Sequence, residues 1–330
     1  MPADSPSLPS CGVAYFCQLC ETEGLPQSIA SALLKSINPS TLRTYKRFWK
    51  NFAEWVNARR PSSHFSAILV CEYLHFKFAE GFSTSTLNSI KSALSFFTSS
   101  SFDLENNKFL KRLFKFFYQL RPFKPKYTTF WPVEKVLALL RSWHPLEDLS
   151  LKLLTLKTIA LMALSSSDRG QTLHLAKISQ MISDEEGVHF VVKERTKSTR
   201  KVLRPIVINC VSSSMPELDV AHCVNFYVNS TTEFRINDID QLFISWRTKL
   251  PVTRQTLARW LKLTLQMAGI DTSIFTAHSF RGAGLSHAYT KGTPINKIVA
   301  AGNWRNAETF RKYYCAPADD SPIGNIILNN

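Results

Sequence analysis

A mainly α-helical protein of two domains, with one small β-hairpin, is the architecture this sequence predicts. Three observations carry that expectation. Apolar residues recur at helical spacing over most of the chain. A proline- and lysine-bearing stretch at 121–130 divides it. A single pair of β-branched runs between 187 and 208 flanks a basic turn. At 330 residues the chain is long for one core and suits two.

Charge narrows the partners. Lys and Arg number 40 against 25 Asp and Glu, a formal net charge of +15. Such an excess favours a polyanion, with nucleic acid ahead of a membrane surface. No apolar run approaches the ~20 residues of a membrane span. The start, Met1-Pro2-Ala3-Asp4, lacks the charged and apolar regions of a signal peptide, so a soluble intracellular protein is expected. The 7 cysteines are odd in number and scattered, which suits reduced thiols in a cytosolic or nuclear setting. Cys11, Cys17 and Cys20 cluster, but without a neighbouring His they fall short of the ligand set of a structural zinc site, and no metal is expected.

Residues 1–24 are rich in Pro and Ser, then bear cysteines, and read as a poorly ordered arm. From Leu25 a helical pattern places Ile29, Leu33 and Leu34 on one face, until Asn38-Pro39-Ser40 breaks it. Ser40 is suited to cap the next helix, where Leu42, Tyr45, Trp49, Phe52 and Trp55 or Val56 form an apolar stripe. Arg43, Lys46, Arg47 and Lys50 fall largely off that stripe, a basic face fit for a DNA backbone. A third helix starts at 70–76 and closes at Glu80-Gly81. A fourth, capped within 83–86, carries Leu87, Ile90, Lys91, Leu94 and Phe97. Residues 107–120 mix Phe with Lys and Arg, so 25–120 read as a helical bundle with several basic faces. Residues 121–130, with Lys124 and Lys126, suit a linker.

The second domain, 131–318, opens with a helix after Trp131-Pro132. Residues 151–165 make an almost wholly apolar helix, best placed at the centre of a second core. It runs into Asp168-Arg169-Gly170, and a buried cation is costly unless an anion pairs with it. Arg169 is therefore expected to face a cleft. Residues 189–193 and 202–208 are the strand pair, and the tip between them holds Arg195, Lys197, Arg200 and Lys201. Helices return over 220–227 and 253–268, and 319–330 read as a loosely held tail.

The densest chemistry lies in 276–317. His278 and Arg281, three apart, share a helix face and can reach one anion. Gly302-Asn303-Trp304 reads as a tight turn, and Tyr313 and Tyr314 follow. A guanidinium forks onto phosphate oxygens, an imidazole moves a proton near neutral pH, and a phenol can act as nucleophile. Each piece alone has an ordinary structural explanation. Together they suit phosphoryl transfer.

The order of these features resembles the tyrosine recombinase (phage integrase) family: Arg after a buried helix, Lys on a hairpin, His-x-x-Arg, Gly-x-Trp, then Tyr. More narrowly, four stretches resemble the recombinases of eukaryotic mobile elements of the Crypton and DIRS-like kinds. They are Arg169-Gly170-Gln171-Thr172-Leu173-His174-Leu175, Arg195-Thr196-Lys197-Ser198, Pro251-Val252-Thr253 and Thr309-Phe310-Arg311-Lys312-Tyr313-Tyr314. Residues 25–120 resemble the family's helical, SAM-like core-binding domain through Ser40-Thr41-Leu42-Arg43-Thr44-Tyr45 and Ser89-Ile90-Lys91-Ser92-Ala93-Leu94. The resemblance implies an α+β catalytic domain that forms a C-shaped clamp with the helical one. It implies cleavage of double-stranded DNA through a 3′-phosphotyrosyl link, without cofactor, metal or nucleotide. It also implies a homotetramer on paired DNA sites and, for an element of this kind, a nuclear location.

By the same resemblance Arg169 and Arg281 clamp the non-bridging oxygens, and Lys197 is the general acid for the leaving 5′-oxygen. His278 assists proton transfer, while Trp304 adds packing and an indole N–H. Arg195 and Arg200 join the DNA contacts. Lys193 and Lys201 compete with Lys197, because hairpin register is open in the sequence. Phage-like spacing from Trp304 selects Tyr313 as nucleophile; the mobile-element pattern selects Tyr314, which is preferred. Thr172 stands where many members carry an acidic residue. A reading of another class keeps the fold without the activity, as a host-adopted DNA-binding protein.

Overall fold

The computed structural model describes residues 12–60, 65–97, 103–124, 126–127, 129–194, 205–236, 239–304 and 306–314. The chain divides into two compact units, one ending at Lys124 and the other starting at Pro125.

The first unit is helical: α1 Gly12–Thr22, α2 Gln27–Ser36, α3 Pro39–Arg59, α4 Ala67–Ala79, α5 Thr84–Leu94 and α6 Lys108–Leu120. Side-chain caps set the starts of α5 and α6, at Ser83 and Asn107. α3 is capped two residues earlier than expected. Asn38 is the cap in place of Ser40, its side-chain oxygen accepting the Ser40 N–H, with Pro39 at the first helical position. Trp49, Phe52 and Val56 of α3 are buried with Leu74, Leu87, Ile90 and Phe117. The Trp49 indole donates to the Ala93 carbonyl at 2.7 Å, which ties α3 to α5.

Two expectations fail here. Residues 1–24 are not an arm throughout: α1 buries Tyr15, Phe16 and Cys20, and Tyr15 meets Phe97 edge-on at 5.0 Å. Aromatic burial outweighs the Pro/Ser composition that precedes it. On α2 the buried face is not the expected one. Ala30 is buried and Leu34, one turn on, packs against the core, while Ile29 and Leu33 stay exposed.

The second unit runs α7 Val133–Ser142, α8 Leu151–Ser165 and α9 Gly170–His174, then strands β1 Met181–Asp184, β2 Gly187–Val192 and β3 Ile206–Val211. It continues through α10 Val220–Thr231, α11 Arg254–Met267, α12 Ser279–Thr290, α13 Ile295–Ala301 and α14 Ala307–Tyr313. α8 lies at the centre as its composition predicts, with Leu156, Ile159, Ala160 and Met162 sealed from water, packed by α10, α11 and α12. The expected strand pair is a three-stranded antiparallel sheet in the order β1-β2-β3. β1 escapes a sequence reading because it is short and leaves Ile182 exposed. β3 is described from Ile206, opposite Val192, and residues 202–204 of the expected strand lie outside the described residues. α13 and α14 close a small core of their own from Leu285, Ile298, Trp304 and Phe310.

The division at 124 and 125 falls inside the expected linker 121–130, and both ends of that stretch are packed. Arg121 donates to the carbonyls of Phe78 and Phe82 in the first unit. Tyr127 belongs to the second, its hydroxyl 3.0 Å from that of Thr276. The second unit thus starts before Trp131. No helix among the described residues is long and apolar enough to cross a membrane.

Candidate active site

The turn after α8 begins the site. Ser167 takes a left-handed φ of 53°, strained for a residue with a side chain, and Asp168 and Arg169 follow at once. α12 approaches this turn closely, since a Cβ on Gly284 would lie 3.1 Å from the Leu164 carbonyl. That approach brings Arg281, only 3% exposed, under the turn. One terminal nitrogen of Arg281 donates to the Ser167 carbonyl at 2.8 Å, the other to the Gly302 carbonyl. Arg281 therefore ties the α8 turn to the turn that precedes Trp304. Its Nε is buried with no hydrogen-bond partner among the described residues, a costly state that an anion would relieve.

His278 immediately precedes α12, and Tyr314 immediately follows α14. Their side chains meet, with Tyr314 Oη 3.3 Å from His278 Nε2. Loss of water, then the positive charges of Arg281, Arg169 and Lys126, hold the His278 pKa below its ordinary value. The imidazole is therefore neutral at pH 7 and can accept a proton. Trp304 is buried, its ring 4.9 Å from that of Tyr314 and 4.7 Å from the Arg281 guanidinium. Tyr313, one residue earlier, is 40% exposed.

A cavity of about 270 Å³ opens beside these groups, and Arg169, Gln171, Arg254, His278 and Arg281 line it. Asp168 shares the lining; burial pushes its carboxyl up to about 6, opposed by Arg281, a hydrogen bond with Ser166 and Arg169. Thr172 is buried in α9 one turn after Arg169. The sequence reading missed Arg254 and Gln171. Gln171 lies in the stretch that follows Arg169 and was passed over there, whereas Arg254 sits in a helical stretch with no local mark of a site, and only the fold carries it to the cavity.

The other expected residues are placed unit by unit. Arg43, Lys46, Arg47 and Lys50 are exposed along α3, off its buried stripe. Lys91 on α5 is half-buried, its ammonium 5.3 Å over the Phe114 ring. Lys124 and Lys126 are exposed. Lys193 is exposed just past β2, beside Glu194, which pairs with Lys177 at 2.6 Å. Lys197, Arg195, Arg200 and the competing Lys201 lie outside the described residues, as do Cys11 and the tail 319–330. Cys17 and Cys20 fall one turn apart on α1, and burial raises the Cys20 thiol pKa. Among the described residues no group of three or more His, Cys, Asp or Glu could hold a metal.

Residues 135–320 match the family model described as the phage integrase family. No curated protein matches the chain. Among solved structures it is similar to the XerH site-specific recombinase bound to palindromic difH substrate. That likeness has a TM-score of 0.61 and 14% identity, over 92% of this chain and 81% of that one. The Tn1549 transposon integrase in complex with transposon right end DNA is similar over 96% of this chain and 99% of its own. Its TM-score is 0.60 and its identity 14%. A lambda integrase tetramer bound to a Holliday junction is similar at TM-score 0.56 and 13% identity, over 97% and 80% of the two chains.

Proposed function

The chain belongs to the phage integrase family, and on that premise we propose that it cuts and rejoins duplex DNA as a tyrosine recombinase. The observation that carries this reading is Tyr314 Oη at His278 Nε2, next to a cavity that Arg169 and Arg281 line. In the proposed reaction Tyr314 Oη attacks the phosphorus of a phosphodiester while His278 Nε2 takes its proton. The bond from phosphorus to the 5′-oxygen breaks, and a 3′-phosphotyrosyl link forms. The hairpin lysine, Lys197, protonates the leaving oxygen, with Lys193 as its competitor. Arg169 and Arg281 offset charge on the non-bridging oxygens, and the unpartnered Arg281 Nε supports that role. A second 5′-hydroxyl reverses the step on another strand. The bond energy stays in the phosphotyrosine, so the step consumes neither nucleotide nor metal.

The basic face of α3, with Lys91, Lys124 and Lys126, holds the DNA backbone in this reading, and Arg254 adds a cation at the cavity. Affinity for a random-sequence duplex should then fall as salt rises, by a slope of about 0.9 per neutralised phosphate on logarithmic axes. Replacing Lys46, Arg47 and Lys50 together by Ala should lower that slope by about 2 to 3, measured by fluorescence anisotropy. An unchanged slope would remove α3 from the interface. Several copies acting on paired sites, an origin in a mobile element and action in the nucleus complete the proposal. The lambda integrase tetramer supports the first, and the motif at 309–314 the second.

The decisive experiment offers a pool of nicked, randomised duplexes and scores protein–DNA product that survives denaturing detergent. A tyrosine-linked adduct is expected. Duplex binding without any adduct would leave a DNA-binding protein that keeps the fold alone. Adduct formation should also depend on pH in a definite sense. Because the His278 pKa is depressed, the neutral base persists down to pH 6.5, and the rate falls only below it. His278→Ala should slow the reaction about 100-fold or more and flatten that acid limb.

A further inference from the structure

The stretch that enters the second unit is stitched to the start of α12. Tyr127 bonds Thr276 through its hydroxyl and stacks on Phe275 with centroids 5.4 Å apart. Trp131 Nε1 donates to the Ser279 hydroxyl at 2.8 Å. Between these two anchors lies Phe130. Its ring is parallel to that of Tyr314, at 6° and 6.3 Å between centroids, the offset arrangement that aromatic pairs favour.

Gly282 explains how Phe130 gets there. It lies inside α12 with no positive φ, so its backbone does not require glycine, and a helix-interior glycine costs about 1 kcal/mol against alanine. What it provides is room, because a Cβ at 282 would run into the Phe130 ring. Ring, seat and tyrosine therefore form one packed unit that no motif at 276–317 records.

We propose that Phe130 is a positioning residue for the nucleophile: seated on Gly282, its ring holds Tyr314 in the rotamer that places Oη on His278 Nε2. A tyrosine has other staggered side-chain wells, and a flat neighbour removes those that break the stack. The proposal rests on Tyr314 as the attacking residue, but it also makes a claim about the resting protein. Loss of the ring frees the phenol whether or not the phenol reacts.

Two measurements test it. In the free protein, nitration of Tyr314 by tetranitromethane is followed by peptide mass spectrometry, with Tyr313 as internal reference. Phe130→Leu should raise the Tyr314 rate severalfold, and Phe130→Tyr, which keeps a flat ring, should restore it. An unchanged Tyr314 rate overturns the proposal regardless of any catalysis. On the nicked duplex pool, Phe130→Leu should slow adduct formation about tenfold at unchanged duplex affinity, while Phe130→Tyr stays near the parent rate. Gly282→Ala should also slow it, but in the Phe130→Leu background, where the ring that the added methyl displaces is already gone, it should slow it no further. A further loss on top of that of Phe130→Leu would show that Gly282 serves another contact and would overturn the seat. If the parent protein forms no adduct, the recombinase reading falls, and nitration alone decides the positioning role.

Discussion

Tyr314→Phe should abolish the covalent adduct and leave duplex affinity where it was. The substitution removes one hydroxyl and keeps the ring that packs on Trp304 and Phe130. The hydroxyl is exposed at His278 rather than buried, so folding stability should move by less than about 0.5 kcal/mol. Among the described residues no other hydroxyl or thiol lines the cavity, and the rate should drop by about 10⁴-fold or more. Tyr313→Phe should stay within a few-fold of the parent, since it is the Tyr314 hydroxyl that meets His278. Labelled suicide duplex on a denaturing gel reads both variants. An adduct that survives in Tyr314→Phe and vanishes in Tyr313→Phe would move the nucleophile by one residue.

Arg281→Lys is the second large effect, and the informative one of its kind. Arg281→Ala would remove charge, volume and the tie between two turns at once, so a dead protein could simply be an unfolded one. Lysine keeps the charge and most of the stem but loses the fork. It can reach the Ser167 or the Gly302 carbonyl and not both, at a cost of about 1 to 3 kcal/mol that thermal unfolding would record. Adduct formation should fall about 10² to 10³-fold, because no planar pair of donors remains for the non-bridging oxygens. Duplex affinity should change by no more than about threefold, as one phosphate contact among several is at stake. Equal losses in binding and cleavage would make Arg281 a backbone contact instead.

Much of this architecture is visible in the chain because it depends on local pattern. α3, α5 and α8 announce themselves by stripes, caps and continuous apolar content, and His278 and Arg281 by a spacing that a helix converts into one face. The failures share one cause. α1 is a helix because Tyr15 finds Phe97, residues far apart in sequence. Residues 121–126 hold prolines and lysines that read as a linker, yet the rings of Tyr127, Phe130 and Trp131 just after them are fixed by Phe275, Tyr314 and Ser279, about 150 residues or more away. β1 is too short and too exposed to show a period. Arg254 looks like any cation on an amphipathic helix until α9 and α12 are placed beside it. Tertiary neighbours decide each of these, and periodicity is blind to them.

The small core formed by Leu285, Ile298, Trp304 and Phe310 is separate from the one around α8. Beyond it, among the described residues, the tyrosine segment is fastened by the Arg281 bond to the Gly302 carbonyl, by the Ser286 hydroxyl, 2.9 Å from the Tyr314 carbonyl, and by the contacts of Tyr314 with His278 and Phe130. A small core with a few such single contacts is a lighter fastening than the core around α8, so this segment should open before the rest of its unit. Its opening would carry the phenol away while the sheet, α8 and Arg169 stay folded. On the proposed function, the attacking group would then sit on a detachable piece, and reactivity could be withheld by local melting while Arg169 keeps its hold on an anion.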